Sequence, residues 1–192
     1  ARTVPHGLTV PPEMIWVKRR NTTNNWKTFH SSLGGTKSME LNTTVAAETN
    51  GSALWNSTAP TASVFSLGTA SDVNVSGSTY IAYLFATLAG VSKVGSYTGN
   101  GSSSGPTVDC GFSGSPRFVR IKNATGGTGS WYVFDSARGI VAGAESQLYL
   151  NSTAAEQTAT DQIDPTSSGF QIVINSGGLN TNGETYIFYA IA

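Results

Sequence analysis

Pro12-Glu13-Met14-Ile15-Trp16-Val17-Lys18 is a short run of β-branched and aromatic residues behind a proline, and it returns as Pro116-Arg117-Phe118-Val119-Arg120-Ile121-Lys122. Runs of this kind read as strands. Working outward, Trp26-x-x-Phe29-x-Ser31 returns as Trp131-x-x-Phe134-x-Ser136. Leu41-Asn42-Thr43-Thr44-Val45-Ala46-Ala47-Glu48-Thr49 is echoed by Leu150-Asn151-Ser152-Thr153-Ala154-Ala155-Glu156-Gln157-Thr158, and Phe65 by Phe170. Asn74-x-x-Gly77-x-Thr79-Tyr80-Ile81-x-Tyr83-x-x-Ala86 reappears as Asn180-x-x-Gly183-x-Thr185-Tyr186-Ile187-x-Tyr189-x-x-Ala192. The offset stays between 104 and 109 residues. One order at nearly one spacing marks an internal repeat. A repeated module without an evident catalytic set points to structure or binding before chemistry.

The repeat divides the 192 residues into two expected modules, 1–89 and 90–192, each large enough for a modest core. Further strands are expected at Trp26–His30, Ser38–Leu41, Ser63–Leu67 and Tyr80–Ala86 in the first. The second should carry Phe118–Lys122, Ser130–Phe134, Gln147–Leu150, Gly169–Ile174 and Thr185–Ile191. Tyr186-Ile187-Phe188-Tyr189-Ala190-Ile191 has large apolar residues on both faces, as a central strand covered on both sides would. The fold class that follows is all-β: two tandem, homologous antiparallel β-sandwich-like modules of five or six strands each. Helix signals are confined to the Ala/Glu segments after Asn42 and Asn151, where Thr44 or Thr153 could cap a short turn.

Composition excludes several partners. Charged residues make up 11 % of the chain, with Lys+Arg and Asp+Glu both 11, so nothing in the charge balance suits nucleic acid or an anionic membrane surface. No apolar run approaches the ~20 residues of a membrane span. Arg2, Pro5 and His6 interrupt any apolar core at the start, which does not read as a signal peptide. Cys110 is the only cysteine, so no intrachain disulfide forms, and it reads as a small buried hydrophobe.

Lys93-Val94-Gly95-Ser96-Tyr97-Thr98-Gly99-Asn100-Gly101 reads as a strand ahead of Thr107-Val108-x-x-Gly111, which matches Thr3-Val4-x-x-Gly7. Only two residues precede Thr3, so this opening strand has no counterpart in the first module. The expectation is a natural start upstream of Ala1 and an open sheet edge, placed beside Met14–Lys18, that a strand from elsewhere could fill.

These residues resemble a known family. Val4-Pro5-His6-Gly7-Leu8, Pro12-Glu13-Met14-Ile15-x-Val17-Lys18, Trp26-x-x-Phe29-His30, Gly95-Ser96-Tyr97-Thr98-Gly99-Asn100-Gly101 and Trp131-x-x-Phe134-Asp135-Ser136 resemble a repeated β-rich domain in virion structural and tail-fibre proteins of tailed bacteriophages, many of them marine. The resemblance implies a protein at the particle surface, on a host-facing fibre or on the capsid. Its implied partners are other virion subunits, as a homo-oligomer, and a host-surface glycan or protein. It carries over no catalytic residue, and no cofactor, nucleic acid or membrane insertion is expected from the sequence. Cys110 at the position of His6 departs from the pattern.

Candidate chemistry is sparse. His6 and His30 match no metal-ligand spacing, and no metal ligands are assigned. Asp72, Asp135, Asp161 and Asp164 form no pair that the repeat keeps. Gly101-Ser102-Ser103-Ser104-Gly105 matches a nucleophile-elbow string, but in a Gly/Ser-rich stretch running into Pro106 it reads as a loop. Repeated Trp26 and Trp131 read as packing. Lys18 and Lys122 read as exposed strand ends. Asn42 and Asn151 read as side chains bonded to local backbone. Trp16 and Trp55, unrepeated as tryptophan, and Asn24 and Asn25 are the candidates for surface recognition or subunit contact. The loops expected to diverge over a fixed scaffold are Asn21–Asn25, Asn50–Pro60 and Thr158–Ser168.

Overall fold

The computed structural model describes residues 1–192. The protein is all-β, with sixteen strands, one 3₁₀ turn at Ser31–Leu33 and no α-helix. It forms two compact units, Ala1–Ala86 and Thr87–Ala192.

The first unit contains β1 (Arg2–Pro5), β2 (Met14–Arg19), β3 (Lys27–His30), β4 (Lys37–Glu40), β5 (Glu48–Thr49), β6 (Val64–Leu67) and β7 (Tyr80–Phe85). Its larger sheet runs β5-β4-β3-β2-β7 and its smaller sheet pairs β1 with β6, all antiparallel. Alternation sets which face is buried. Ile15, Val17 and Phe29 point to the core, where Phe65 and Leu67 of the smaller sheet meet them. Leu54, Trp55 and Val73, from connecting segments, close that core.

The second unit contains β8 (Ser92–Thr98), β9 (Thr107–Asp109), β10 (Phe118–Asn123), β11 (Trp131–Asp135), β12 (Glu145–Tyr149), β13 (Gln157–Thr160), β14 (Ile163–Pro165), β15 (Gly169–Ile172) and β16 (Thr185–Ile191). One sheet runs β13-β12-β11-β10-β16-β8 and the other β14-β15-β9. Val119, Ile121, Phe134, Tyr186 and Phe188 pack against Val108, Ile163, Phe170 and Ile172 between them.

The strands run to seven and nine per unit, beyond the five or six expected, because short backbone-paired segments such as β5, β13 and β14 carry little side-chain signal. Three expectations are corrected. The Ala/Glu segments are not helical; they lead into β5 and β13, where pairing with β4 and β12 outweighs local propensity. Thr158–Ser168 is not one open loop, since most of β13 and all of β14 lie in it. The open edge is not beside Met14–Lys18, because β2 is flanked by β3 and β7. It lies beside β7, which bonds only β2, whereas β16 lies between β10 and β8.

Candidate functional site

The face of the larger first-unit sheet turned away from its core carries a row of aromatic rings. Trp16 alternates with the core residues Ile15 and Val17, so it projects from the opposite face. Its register partners there are Thr28 and Tyr83. Trp16 packs on Phe85 at 4.5 Å and edge-on to Tyr83 at 6.3 Å. Trp26 and Tyr83 lie 6.1 Å apart and 30° from parallel. Tyr83 is 45 % exposed, and Ile81 beside it is exposed too.

A polar network stands at the β2–β3 end of the sheet, on the face that Lys27 shares with Val17 and Phe29 and not on that of Trp16. Lys27 Nζ lies 2.5 Å from Glu40 Oε1 and 3.7 Å from Asp72 Oδ2. Asn25 donates to Glu40 at 2.7 Å, Asn42 donates to Asn25 at 2.8 Å, and Asn24 donates to Asp72. Burial alone would raise the Glu40 pKa, but hydrogen bonds from Lys27 and Asn25 outweigh it and hold the carboxyl below its ordinary value. Lys18 Nζ donates to the carbonyls of Thr22 and Asn24, which ties the β2–β3 loop down.

Of the four residues singled out by sequence, Trp16 alone stands on this aromatic face. Asn24 and Asn25 lie at its margin with their amides engaged in holding the loop. Trp55 is not a surface residue: it is 2 % exposed and sits edge-to-face on Phe29 at 5.8 Å. The Asn50–Pro60 segment folds inward and delivers Leu54 and Trp55 to the core. Tyr83 and Trp26 were missed as surface groups because their recurrence resembles core packing. The alternation Ile81-x-Tyr83-x-Phe85 was the available signal.

The second unit presents a different face. Arg120 occupies the position of Trp16 and lies 4.8 Å over the Trp131 ring. Burial lowers the Arg120 pKa to about 9 and the Lys122 pKa to about 8. Lys122 is not exposed; its ammonium donates to the Gly129 carbonyl at 2.7 Å. Asn42 and Asn151 accept the Trp26 and Trp131 backbone N–H groups at 2.9 and 2.7 Å; the shared backbone bond is as expected, but its partner is 16 and 20 residues away and not local.

The remaining candidates are dispersed. His6 Nε2 sits 3.1 Å from the Thr61 carbonyl, and His30 is buried and accepts the Ser32 N–H. No group of three His, Cys, Asp or Glu side chains converges. Cys110 lies in the second core, where burial pushes its thiol up to about 12. Ser102–Ser104 form an exposed loop with Asx and Ser turns. No helix is long and apolar enough to cross a membrane.

The second surface feature is the β7 edge. Thr79 pairs with Arg20 through its carbonyl, and hydrogen-bonded pairs alternate along an antiparallel ladder. Odd-numbered residues therefore bond β2, and the backbone groups of Tyr80, Ala82 and Leu84 face outward. Two cavities flank this edge, both lined by Val4, Leu67 and Tyr80. No curated protein and no solved structure matches the chain. Residues 1–192 match the family model described as Domain of unknown function (DUF7483), and the chain belongs to that family.

Proposed function

We propose that this chain is a virion structural protein of a tailed bacteriophage, a tail-fibre or surface-appendage component serving assembly and host-surface attachment. In this reading it is built from two homologous sandwich modules in tandem. The observation that carries the modular part is a matched set of bonds. Tyr80 accepts the Val75 N–H at 2.9 Å and donates to the Ser71 carbonyl at 2.9 Å. Tyr186 accepts the Thr181 N–H at 2.8 Å and donates to the Gly177 carbonyl at 3.1 Å. The sheet orders β4-β3-β2-β7 and β12-β11-β10-β16 agree as well. Repeated rigid modules with turn-rich ends suit a particle appendage, and the repeated motifs resemble those of phage virion proteins. Partners on this reading are other virion subunits, including further copies of the chain.

Immunogold labelling of purified particles with an antibody against the chain tests the location. Label along tail fibres supports the reading. Label over the head reassigns the chain to capsid decoration or a head fibre, and absence of label from intact and disrupted particles removes the virion role.

The aromatic row favours a second reading, carbohydrate binding, because the exposed Tyr83 ring, with the half-buried Trp26 ring 30° from parallel to it, can stack on a sugar face. Glycan-array binding that Tyr83→Ala abolishes would support it. No binding by the wild-type chain would remove it.

A further inference from the structure

Residues 157–165 cross from one sheet of the second unit to the other. β13 is an edge strand of the larger sheet and β14 an edge strand of the smaller one. Neither is held strongly. All four residues of β13 are exposed, and its register with β12 is irregular. Ala159 within it has φ 69°, the left-handed region that strains a residue with a Cβ. β14 is three residues long and pairs only with β15.

One side chain staples the crossing. Glu145 stands on β12 opposite Thr160, and its Oε1 accepts the consecutive N–H groups of Gln162 at 3.0 Å and Ile163 at 3.1 Å. Ile163 is the residue that seats β14 in the core. The other oxygen, Oε2, is buried and has no hydrogen-bond partner. A neutral carboxyl tolerates that seat better than an anion, which would lose its water and gain no second donor. The surrounding charges are unfavourable too. Asp161 opposes ionisation of Glu145, and Asp164 acts on Asp161 in the same way. Asp164 Oδ1 accepts the Gly143 N–H at 3.3 Å. Toward β11 the charged groups are Asp135 and Arg138, which pair with each other, and Arg138 also reaches Glu156 at 3.5 Å. β15 carries no charge. No salt bridge reaches Glu145, Asp161 or Asp164.

We propose that residues 157–165 form a pH-gated strap on the second unit, closed over the sandwich while Glu145 is a neutral acid and released as it ionises. Release returns the carboxylate to water and uncovers the outer edges of β12 and β15. The closed state keeps the Glu145 proton up to about pH 7, and the open state loses it near 4.5. The closed state therefore holds more protons between those values, and opening increases as pH rises through them. The first unit has no such device. Leu150 corresponds to Leu41, which puts Thr36 where Glu145 stands, and its smaller sheet has no counterpart of β14.

The test is native-state hydrogen exchange on the 192-residue chain at pH 5, 6.5 and 8, corrected for intrinsic exchange and repeated in low urea. Protection of the Gln162 and Ile163 amides is expected to fall at least tenfold from pH 5 to pH 8. Their exchange should be insensitive to urea, as local opening is, whereas β10 and β16 should exchange more slowly and respond to urea. Amides of β2 and β3 in the first unit should not change with pH. In Glu145→Gln the protection should be the same at pH 5 and pH 8. Asp161→Asn changes an exposed residue and should shrink the fall, which keeps the proposal testable if the glutamine variant folds poorly. Equal protection at both pH values in the wild type overturns the proposal. So does a fall that Glu145→Gln retains or that Asp161→Asn leaves undiminished, because another group would then control it. A fall that follows urea in step with β10 and β16 also overturns it, since the unit would then be unfolding as a whole.

Discussion

Tyr97 lies on Tyr186 with ring centroids 5.0 Å apart and planes 7° from parallel, so the strand that completes the second sheet is also a core residue's carrier. Tyr97→Phe keeps the stack and removes the hydroxyl that donates to the Leu179 carbonyl at 2.7 Å. It is expected to cost about 1 kcal/mol. Tyr97→Ala removes the ring as well and should cost about 3–5 kcal/mol. Urea denaturation gives the totals, and hydrogen exchange should place the loss in β8 and β16. Equal effects of the two substitutions would show that the ring contributes nothing.

Gly95 is small because Phe188 occupies the space its side chain would need. A Cβ there would lie 2.6 Å from Phe188 Cζ and 2.8 Å from Cε1. Gly95→Ala should destabilise the second unit by about 1–3 kcal/mol. On a Phe188→Leu background the penalty should shrink, which a double-mutant cycle reads as coupling between the two positions. An additive cycle would mean that Gly95 is required for its backbone rather than for the ring.

Asn42 and Asn151 perform one task in the two units, each accepting the backbone N–H of the tryptophan that precedes or opens a strand. Replacing either with alanine leaves that N–H without its acceptor, for an expected loss of about 1–2 kcal/mol. Asn42→Asp and Asn151→Asp keep the acceptor oxygen and should recover most of it. Thermal unfolding of the four variants checks this. Failure of both aspartates to rescue would shift the role to the amide NH₂ groups, one of which reaches Asn25 and the other Ser130.

Much of this framework was legible because β-branched and aromatic runs, bounded by turns, coincide with the strands that build both cores. Met14–Arg19, Val64–Leu67 and Thr185–Ile191 are of this kind. Gln157–Thr160 is the opposite case: all four residues are exposed, and backbone pairing with β12 across an irregular register holds it, so its side chains carry no strand signal. Trp55 misled for a related reason. A lone tryptophan in a Ser/Thr/Asn-rich loop has no periodicity to reveal which way it points. The β7 edge required strand order, which places β2 between β3 and β7 and cannot be read from strand succession.

Glu145 provides a pH-dependent prediction. The residue is 2 % exposed, and its Oε1 accepts the N–H groups of Gln162 at 3.0 Å and Ile163 at 3.1 Å. Burial raises its pKa from 4.5 to about 7, against the opposing pull of those N–H donors. The folded state therefore holds a proton that the unfolded chain has released over the interval from 4.5 to about 7. Because the native state binds more protons there, stability should fall as pH rises through that interval and level off above it. Glu145→Gln keeps an acceptor oxygen for Gln162 and Ile163 and removes the ionisation. At pH 8 the variant should be more stable than the wild type by roughly 2 kcal/mol, from 1.36 kcal/mol per pKa unit discounted for relaxation around the carboxylate. Below pH 4.5, where the wild-type carboxyl is neutral in both states, the two proteins should unfold alike. Denaturation curves at pH 4, 6 and 8 on both proteins read the difference. A glutamine variant that matches the wild type at pH 4 but is less stable at pH 8 would mean that the negative charge is itself what holds the Gln162–Ile163 backbone in place.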